Sequence, residues 1–308
     1  MSSPKSQHLI PRCYLKQFVD PHTPRGHEPY VWIFERQSKK GKKKAPKNIF
    51  TEADFYTFTG KEGGKNYALE KTLAQIESDY STVYEQSIRN KIPLDQKEHA
   101  TICAFVAAML QRTMKQKEHI QDYFERLRVM VEDLERAHGA APDLSLKLAQ
   151  QEENAHKITI LQNLPFLTGT LGKMNLAFLC AGTHSSFISS DAPCILFNAE
   201  LQWQRVYAPA LGQKHVEVYM PLSPKISVMF SWANNVRGYL GIGQDRVHEL
   251  NRWVFASSYE YFIANSPRLK RRWFRRYPLD PVFIWRMLRN TWRVKYLKWK
   301  HVRHVRNE

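Results

Sequence analysis

Two successive helical patterns constrain the fold of this chain more than any other feature. Leu69, Leu73, Ile76, Tyr80, Val83 and Ile88 recur at spacings of three to five, which gives one apolar face to a helix running from about Tyr67 to Asn90. After a turn at Ile92 to Asp95, the residues Ala100, Cys103, Val106, Ala107 and Leu110 give a second helix a face of small side chains. Such a face suits close packing against the first helix as its antiparallel neighbour. The second helix is predicted from about Gln96 to His138 with one break. Gly139 to Asp143 closes a hairpin, and a third helix is expected over Leu144 to Leu161. A turn and a short helical element should follow at Asn163 to Lys173, where a proline and two glycines intervene.

Strand patterns lie on either side. Tyr30–Phe34 and Asn48–Thr59 are rich in aromatic and β-branched residues, and so are Ser186–Ser189, Cys194–Phe197, His215–Met220 and Ile226–Trp232, punctuated by Pro193, Pro209, Pro221 and Pro224. Asp245 to Ala256 reads as a short helix that turns Leu250, Trp253 and Val254 inward. The predicted class is α+β, a long helical hairpin packed against a mixed or antiparallel sheet. With 43% hydrophobic residues over 308 positions the chain can fill a core. It divides into a single domain over residues 1–266 and a basic, aromatic-rich helical C-terminal extension over 267–308.

Charge separates these two parts. From Arg268 onward fourteen Lys and Arg face only Asp280 and Glu308, so that +12 of the net +17 lies in the extension. Pro281 suits the first turn of a helix on which Trp285, Leu288, Trp292, Tyr296 and Trp299 share one face, flanked by Arg286, Arg289, Arg293 and Lys300. A stripe of this kind has three uses: docking on the domain, lying on an anionic membrane surface, or gripping nucleic acid by stacking and phosphate contacts. A second basic run, from Arg36 to Lys47, holds seven Lys and Arg between two strands and reads as a solvated loop or a phosphate-gripping hairpin tip. Lys42, Lys43, Lys44, Arg271, Arg272, Arg275, Arg276, Trp292 and Trp299 are the nucleic-acid candidates, for RNA or DNA.

Four dispersed cysteines without a CxxC pair argue against a zinc site or disulfide framework and for a reducing compartment. The N-terminus lacks the apolar core of a signal peptide, and the longest apolar stretch, Ile102 to Leu110, is too short to span a bilayer. A cytoplasmic protein is expected. No P-loop, GxGxxG, GxSxG, HExxH or EF-hand pattern is present.

The segment SFISSDAPCILFN, Ser186 to Asn198, aims polar residues at one point between two β-type runs. Ser190 and Asp191 can form a turn ahead of Pro193 by bonding nearby backbone N–H groups. Alternatively Asp191 joins Glu77, with Glu70 or His8, around a divalent metal such as Mg that activates water for phosphodiester cleavage, while Arg12 and Arg112 steady the phosphate. Glu70 and Glu77, seven residues apart, project from nearly the same angle of one helix. Gln111, Arg112 and Thr113 end an apolar run, where the Arg112 fork can reach a carboxylate or a phosphate. A weaker pattern, Arg112 followed seven residues later by His119, is compatible with the Arg-x(4–6)-His arrangement of HEPN ribonucleases, which cut RNA without metal.

Several segments agree in order with a known family. HLIPRCYLKQF, VWIF, EADFYTF, the helix bearing Glu70 and Glu77, QRT at Gln111 to Thr113, FISSDAPCILFN, VYMPLSP and LNRWVFASS resemble the bacterial family catalogued as domain of unknown function 4238, over roughly residues 7–264. The resemblance implies a single domain of bacterial or phage-related cytosolic origin. It directs attention to His8, Arg12, Tyr14, Glu77, Gln111, Arg112, Ser190 and Asp191 as catalytic candidates. The chain departs from the family pattern at Met114, where proline is usual, and at Ala192, where asparagine is usual.

The leading expectation is a nucleic-acid-interacting protein, in its sharpest form a metal-dependent nuclease of a bacterial defence or conflict system. The alternative is a non-catalytic interaction or regulatory module whose polar motifs are structural and whose tail binds a partner or a membrane surface. The sequence sets no oligomeric state.

Overall fold

The computed structural model describes residues 6–59, 64–139, 143–198, 201 and 209–274. In chain order these form β1 (Ser6–His8), α1 (Arg12–Leu15), β2 (Val31–Glu35), β3 (Gly41–Lys44), β4 (Thr51–Ala53), β5 (Phe58–Thr59), β6 (Lys65–Asn66) and α2 (Ala68–Val83). There follow α3 (Gln96–Gln111), α4 (Met114–Ala137), α5 (Leu144–Lys173), β7 (Asn175–Ala181), β8 (Ser189–Ser190), β9 (Ile195–Phe197), β10 (Glu217–Pro221), β11 (Ile226–Ser231), β12 (Gly238–Ile242), α6 (Gln244–Ser257) and β13 (Tyr261–Ala264).

Helix α2 buries Leu69, Leu73, Tyr80 and Val83, the face its spacing predicts, and a π-turn at Tyr84–Ile88 prolongs it. Helix α3 opens on a capping box in which Asp95 accepts the Glu98 N–H at 2.7 Å and Glu98 accepts the Asp95 N–H at 3.0 Å. The expected break falls at Arg112–Thr113, where the Thr113 hydroxyl oxygen accepts the Gln116 N–H and starts α4. Helix α5 packs along both α3 and α4. It corrects the predicted turn after Leu161 by running unbroken to Lys173 through Pro165. Pro165 cannot bond the Leu161 carbonyl, but both residues lie on the exposed side, where water can take the missing donor's place.

The larger sheet has the order β12-β7-β11-β10-β9 and is antiparallel except for the β12–β7 pair. Both of its faces are buried, with the period of two that a strand dictates. Phe178, Val218, Met220, Val228 and Phe230 join α2, α3 and α5 in one core, while Ala177, Leu179, Tyr219 and Met229 face Val247, Leu250, Trp253 and Val254 of α6 in another. An antiparallel sheet of order β3-β2-β13-β8 adds Phe34 and Phe262 to the second core. The described residues are thus an α+β fold with a mixed and an antiparallel sheet.

Two-stranded ladders β1–β4 and β5–β6 complete the strands. The continuous strand expected over Asn48–Thr59 is broken into β4 and β5, because Phe50 and Asp54 adopt left-handed φ of 54° and 51° that no strand tolerates. The packed body also extends past residue 266. A 3₁₀ turn at Arg271–Phe274 buries Trp273 against α6, with its indole N–H donated to His248 Nδ1 at 3.0 Å. The expected helical extension, with Arg275, Arg276, Trp292 and Trp299, lies outside the described residues. Among the described helices none is long and apolar enough to cross a membrane.

Candidate functional site

Arg112 occupies the C-terminal cap of α3, where the partial negative charge of the helix end favours a cation. Its guanidinium is 2% exposed and fully engaged. It donates to Glu77 Oε1 at 2.6 Å, to the His8 carbonyl at 2.6 Å and to the Tyr56 hydroxyl at 3.2 Å; Tyr56 in turn donates to the Arg112 carbonyl at 3.2 Å. Burial disfavours the charge, yet Tyr56 and Glu77 outweigh it and hold the Arg112 pKa above its ordinary value. One side chain therefore ties α2, α3, β1 and the β4–β5 connection together. Around it, His8 is half-buried with Nδ1 lacking a hydrogen-bond partner among the described residues, and burial lowers its pKa against an opposing pull from Glu77. Arg12 is exposed on α1. The Cys13 thiol beside it is pushed up to about 12 by burial and by Glu77, which leaves it unreactive near neutral pH.

A second polar cluster surrounds the 186–198 segment. Asn251, fully buried on α6, accepts the Ile188 N–H at 3.0 Å and donates to the Ser186 carbonyl at 2.8 Å. Tyr14 donates to the Pro221 carbonyl at 2.7 Å and lies 2.5 Å from the Ser189 hydroxyl, its acceptor role there following from that donation. Ser190 accepts the Ala192 N–H at 3.2 Å. Asp191 accepts the N–H of Tyr259 at 2.8 Å and those of Glu260 and Tyr261 at 2.7 Å each. Burial pushes the Asp191 pKa up, and the three N–H donors oppose this without cancelling it. The local turn expected ahead of Pro193 is corrected for Asp191, whose carboxylate instead fixes the remote turn that starts β13; the bond to a nearby N–H is made by Ser190.

The two clusters distribute the predicted residues among structural tasks. Glu77 takes the Arg112 fork, Glu70 accepts from Gln7 Nε2 at 2.8 Å, and Asp191 holds three backbone amides. The expected metal set Glu70, Glu77 and Asp191 is therefore not gathered: among the described residues no three His, Cys, Asp or Glu side chains stand together as a ligand group. The Arg112 and His119 pair fails on burial, since Arg112 is enclosed by its three partners while His119 is exposed on α4. Gln111 is buried with Oε1 unpartnered among the described residues, and its carbonyl bonds His156 Nε2 at 2.7 Å.

Four further residues of these networks escape sequence reasoning. Gln7 accepts the Tyr56 N–H at 2.6 Å and donates to Thr57 at 2.9 Å, while Tyr56, His156 and Asn251 act through partners remote in sequence. EADFYTF, which includes Tyr56, and LNRWVF, which includes Asn251, were the available signals; Gln7 and His156 had none.

The basic candidates form a different surface. β3 is exposed along its whole length and pairs with β2 in the register Trp32↔Lys43. The Lys43 ammonium lies 4.7 Å from the Tyr30 ring and 5.3 Å from that of Trp32. Lys42 pairs with Glu35 at 3.4 Å and Arg272 with Asp245 at 3.1 Å, whereas Lys44 and Arg271 are exposed and form no ion pair among the described residues. At the tip of the hairpin the Lys39 ammonium sits 4.9 Å over the Phe274 ring, which brings the 36–47 and 268–274 basic segments side by side. A cleft of about 470 Å³ between α3, the end of α5 and β12, lined by His99, Lys173, Arg237 and Tyr239 among others, includes none of the predicted residues.

No curated protein and no solved structure matches the chain. Residues 6–268 match the family described as "Protein of unknown function (DUF4238)", covering both polar clusters and most of the basic face, and the chain belongs to that family.

Proposed function

We propose that the protein binds nucleic acid through the basic face made by the β2–β3 hairpin and residues 268–274, with the family motifs serving as the scaffold that holds this face. The reading is supported by one contact above all, the Lys39 ammonium over Phe274, which merges two basic segments distant in sequence into one surface. Lys39, Lys40, Lys43, Lys44, Arg268, Lys270 and Arg271 are exposed there without an ion pair among the described residues, so their charge is available to phosphates. Tyr30 and Trp32 beside Lys43 supply aromatic surface next to the cations. The polar motifs favour a scaffold over a nuclease centre, because Asp191, Arg112 and Tyr14 spend their hydrogen-bonding capacity inside the fold and Glu77 is turned to Arg112.

The test is a salt titration of binding to labelled single-stranded RNA and duplex DNA by fluorescence anisotropy. Affinity should fall steeply with salt, and the triple variant Lys42→Glu, Lys43→Glu, Lys44→Glu should lower the slope of log K against log salt by about 2–3 on duplex DNA. Equal affinity of parent and triple variant would remove the proposal. A parallel incubation with and without Mg²⁺ examines cleavage: metal-dependent strand scission lost in an Asp191→Asn variant, assayed at a temperature where circular dichroism shows it folded, would restore the nuclease reading.

A further inference from the structure

The cleft of about 470 Å³ between α3, the end of α5 and β12 falls within the size range of small-molecule sites. Strands β7 and β12 run parallel there, with Tyr239 opposite Phe178 and the two rings stacked at 4.8 Å. Leu94, Met174 and Leu176 add apolar surface. The Tyr239 hydroxyl donates to the Ile92 carbonyl at 2.9 Å, which holds the turn before α3 against β12. Two glycines leave room in the wall, since a Cβ added at Gly172 or Gly238 would meet nothing within 4 Å.

The charged lining has one sign. Lys173 and Arg237 line the cleft together with His99, and no Asp or Glu does so among the described residues. The Asn175 side chain donates to the Ala233 carbonyl at 3.0 Å and accepts the Arg237 Nε–H at 2.9 Å. This bond fixes one edge of the guanidinium and leaves both terminal NH₂ groups without a partner among the described residues. Lys173, in the last turn of α5, is exposed and forms no ion pair among them either. The acids at the start of α3 are engaged elsewhere: Glu98 accepts from the Ser87 hydroxyl and the Asp95 N–H, and Asp95 accepts the Glu98 N–H. His99 contributes a hydrogen-bonding ring rather than a third charge, because burial lowers its pKa from the ordinary histidine value.

We propose that this cleft binds a small aromatic acid, its anionic oxygens taken by the Arg237 fork and the Lys173 ammonium and its ring laid against Leu94, Leu176 and Tyr239. A guanidinium held at Nε still presents two N–H donors to two oxygens of one head group. An apolar lining beside such a fork selects an amphipathic anion over a bare inorganic one, and the half-buried Tyr239 ring favours an aromatic body. The volume suits one or two rings and not a nucleic-acid helix, and the cleft shares no residue with the basic hairpin.

The test uses the full chain labelled with [methyl-¹³C]methionine, the Met174 signal being assigned by its absence in Met174→Leu. Titration with 2-naphthoate is expected to shift the Met174 signal to saturation, because an aromatic ring beside a methyl group displaces its resonance. The alcohol 2-naphthol, similar in shape and uncharged at neutral pH, should bind at least about tenfold more weakly. Lys173→Gln combined with Arg237→Gln alters two exposed side chains and should melt with the parent. It is expected to weaken 2-naphthoate at least about tenfold and to leave 2-naphthol unchanged. No shift of Met174 up to the solubility limit of 2-naphthoate overturns the proposal. Equal affinity of the parent for the two compounds, or unchanged 2-naphthoate affinity in the double variant, overturns the assignment to an anion. Should the double variant melt lower, the comparison of the two compounds on the parent decides alone.

Discussion

Arg112 and Glu77 meet at 2.6 Å with the guanidinium almost wholly shielded from solvent while the carboxylate keeps a quarter of its surface in water. This asymmetry sets the consequence of removing either partner. Glu77→Gln leaves a buried cation without its anion and is expected to cost about 3–5 kcal/mol, read as a lower urea midpoint. Arg112→Met removes the buried charge itself and leaves Glu77 free to hydrate, so it should cost less. If Glu77→Gln melts with the parent, the ion pair does not hold α2 to α3.

Asp191 presents two oxygens to three backbone N–H groups of Tyr259, Glu260 and Tyr261. Asparagine offers one acceptor oxygen and turns an NH₂ group towards a donor. Asp191→Asn is accordingly expected to cost about 2–4 kcal/mol and to speed hydrogen exchange at one or more of those three amides. Unchanged protection at all three would mean that the turn before β13 is held by other contacts.

The residues that periodicity and motif order could identify were those whose environment is local. The apolar face of α2 follows from spacing along the helix, and the break expected in the second helix falls before Thr113; between the carboxylate and the phosphate open to Arg112, the structure gives the carboxylate of Glu77. What stayed hidden was set by contacts remote in sequence. Pro165 stops a helix in isolation, but here the packing of α5 on α3 and α4 carries the helix through it. Phe50 and Asp54 look like strand residues until the left-handed backbone at both is known. Asp191 reads in the sequence as a local turn-former ahead of Pro193, but its partners lie at residues 259–261, which nothing in SSDAP announces. Carboxylates near one another in a motif list suggest a metal; each proved to have its own donor.

Acid should destabilise the protein through His156. The ring is 3% exposed, and burial pushes its pKa down to about 4, with the Gln111 carbonyl opposing and Lys117 and Lys157 assisting. The unfolded chain, with a histidine pKa near 6.5, takes up the proton first as pH falls. His156 therefore imposes no proton-linked loss above about pH 6.5, and stability drains by about 3 kcal/mol as pH drops towards 4. His156→Gln can still donate to the Gln111 carbonyl but does not titrate, and should flatten this part of the pH profile of Tm. His8, His99 and His248 also have lowered pKa values, so a smaller slope of the same sign should remain. An identical profile in the variant would assign the acid sensitivity to those three.

Gly41 begins the strand that carries Lys42, Lys43 and Lys44, and a Cβ there would lie 2.4 Å from the Phe34 ring. Phe34 cannot yield freely, since it is 3% exposed and stacked at 5.0 Å on Phe262 of the neighbouring strand. Gly41→Val should therefore displace either the ring or β3 itself, at a cost of about 1–3 kcal/mol, measured as a fall in Tm with a change in near-ultraviolet circular dichroism. The substitution leaves every cation in place. If the hairpin grips phosphates through a fixed arrangement, affinity for RNA or DNA should fall although the net charge is unchanged. If only the density of charge matters, Gly41→Val should bind as the parent does while the Lys42–Lys44 charge reversal still weakens binding. The pair of variants thus separates a shaped basic surface from a diffuse one.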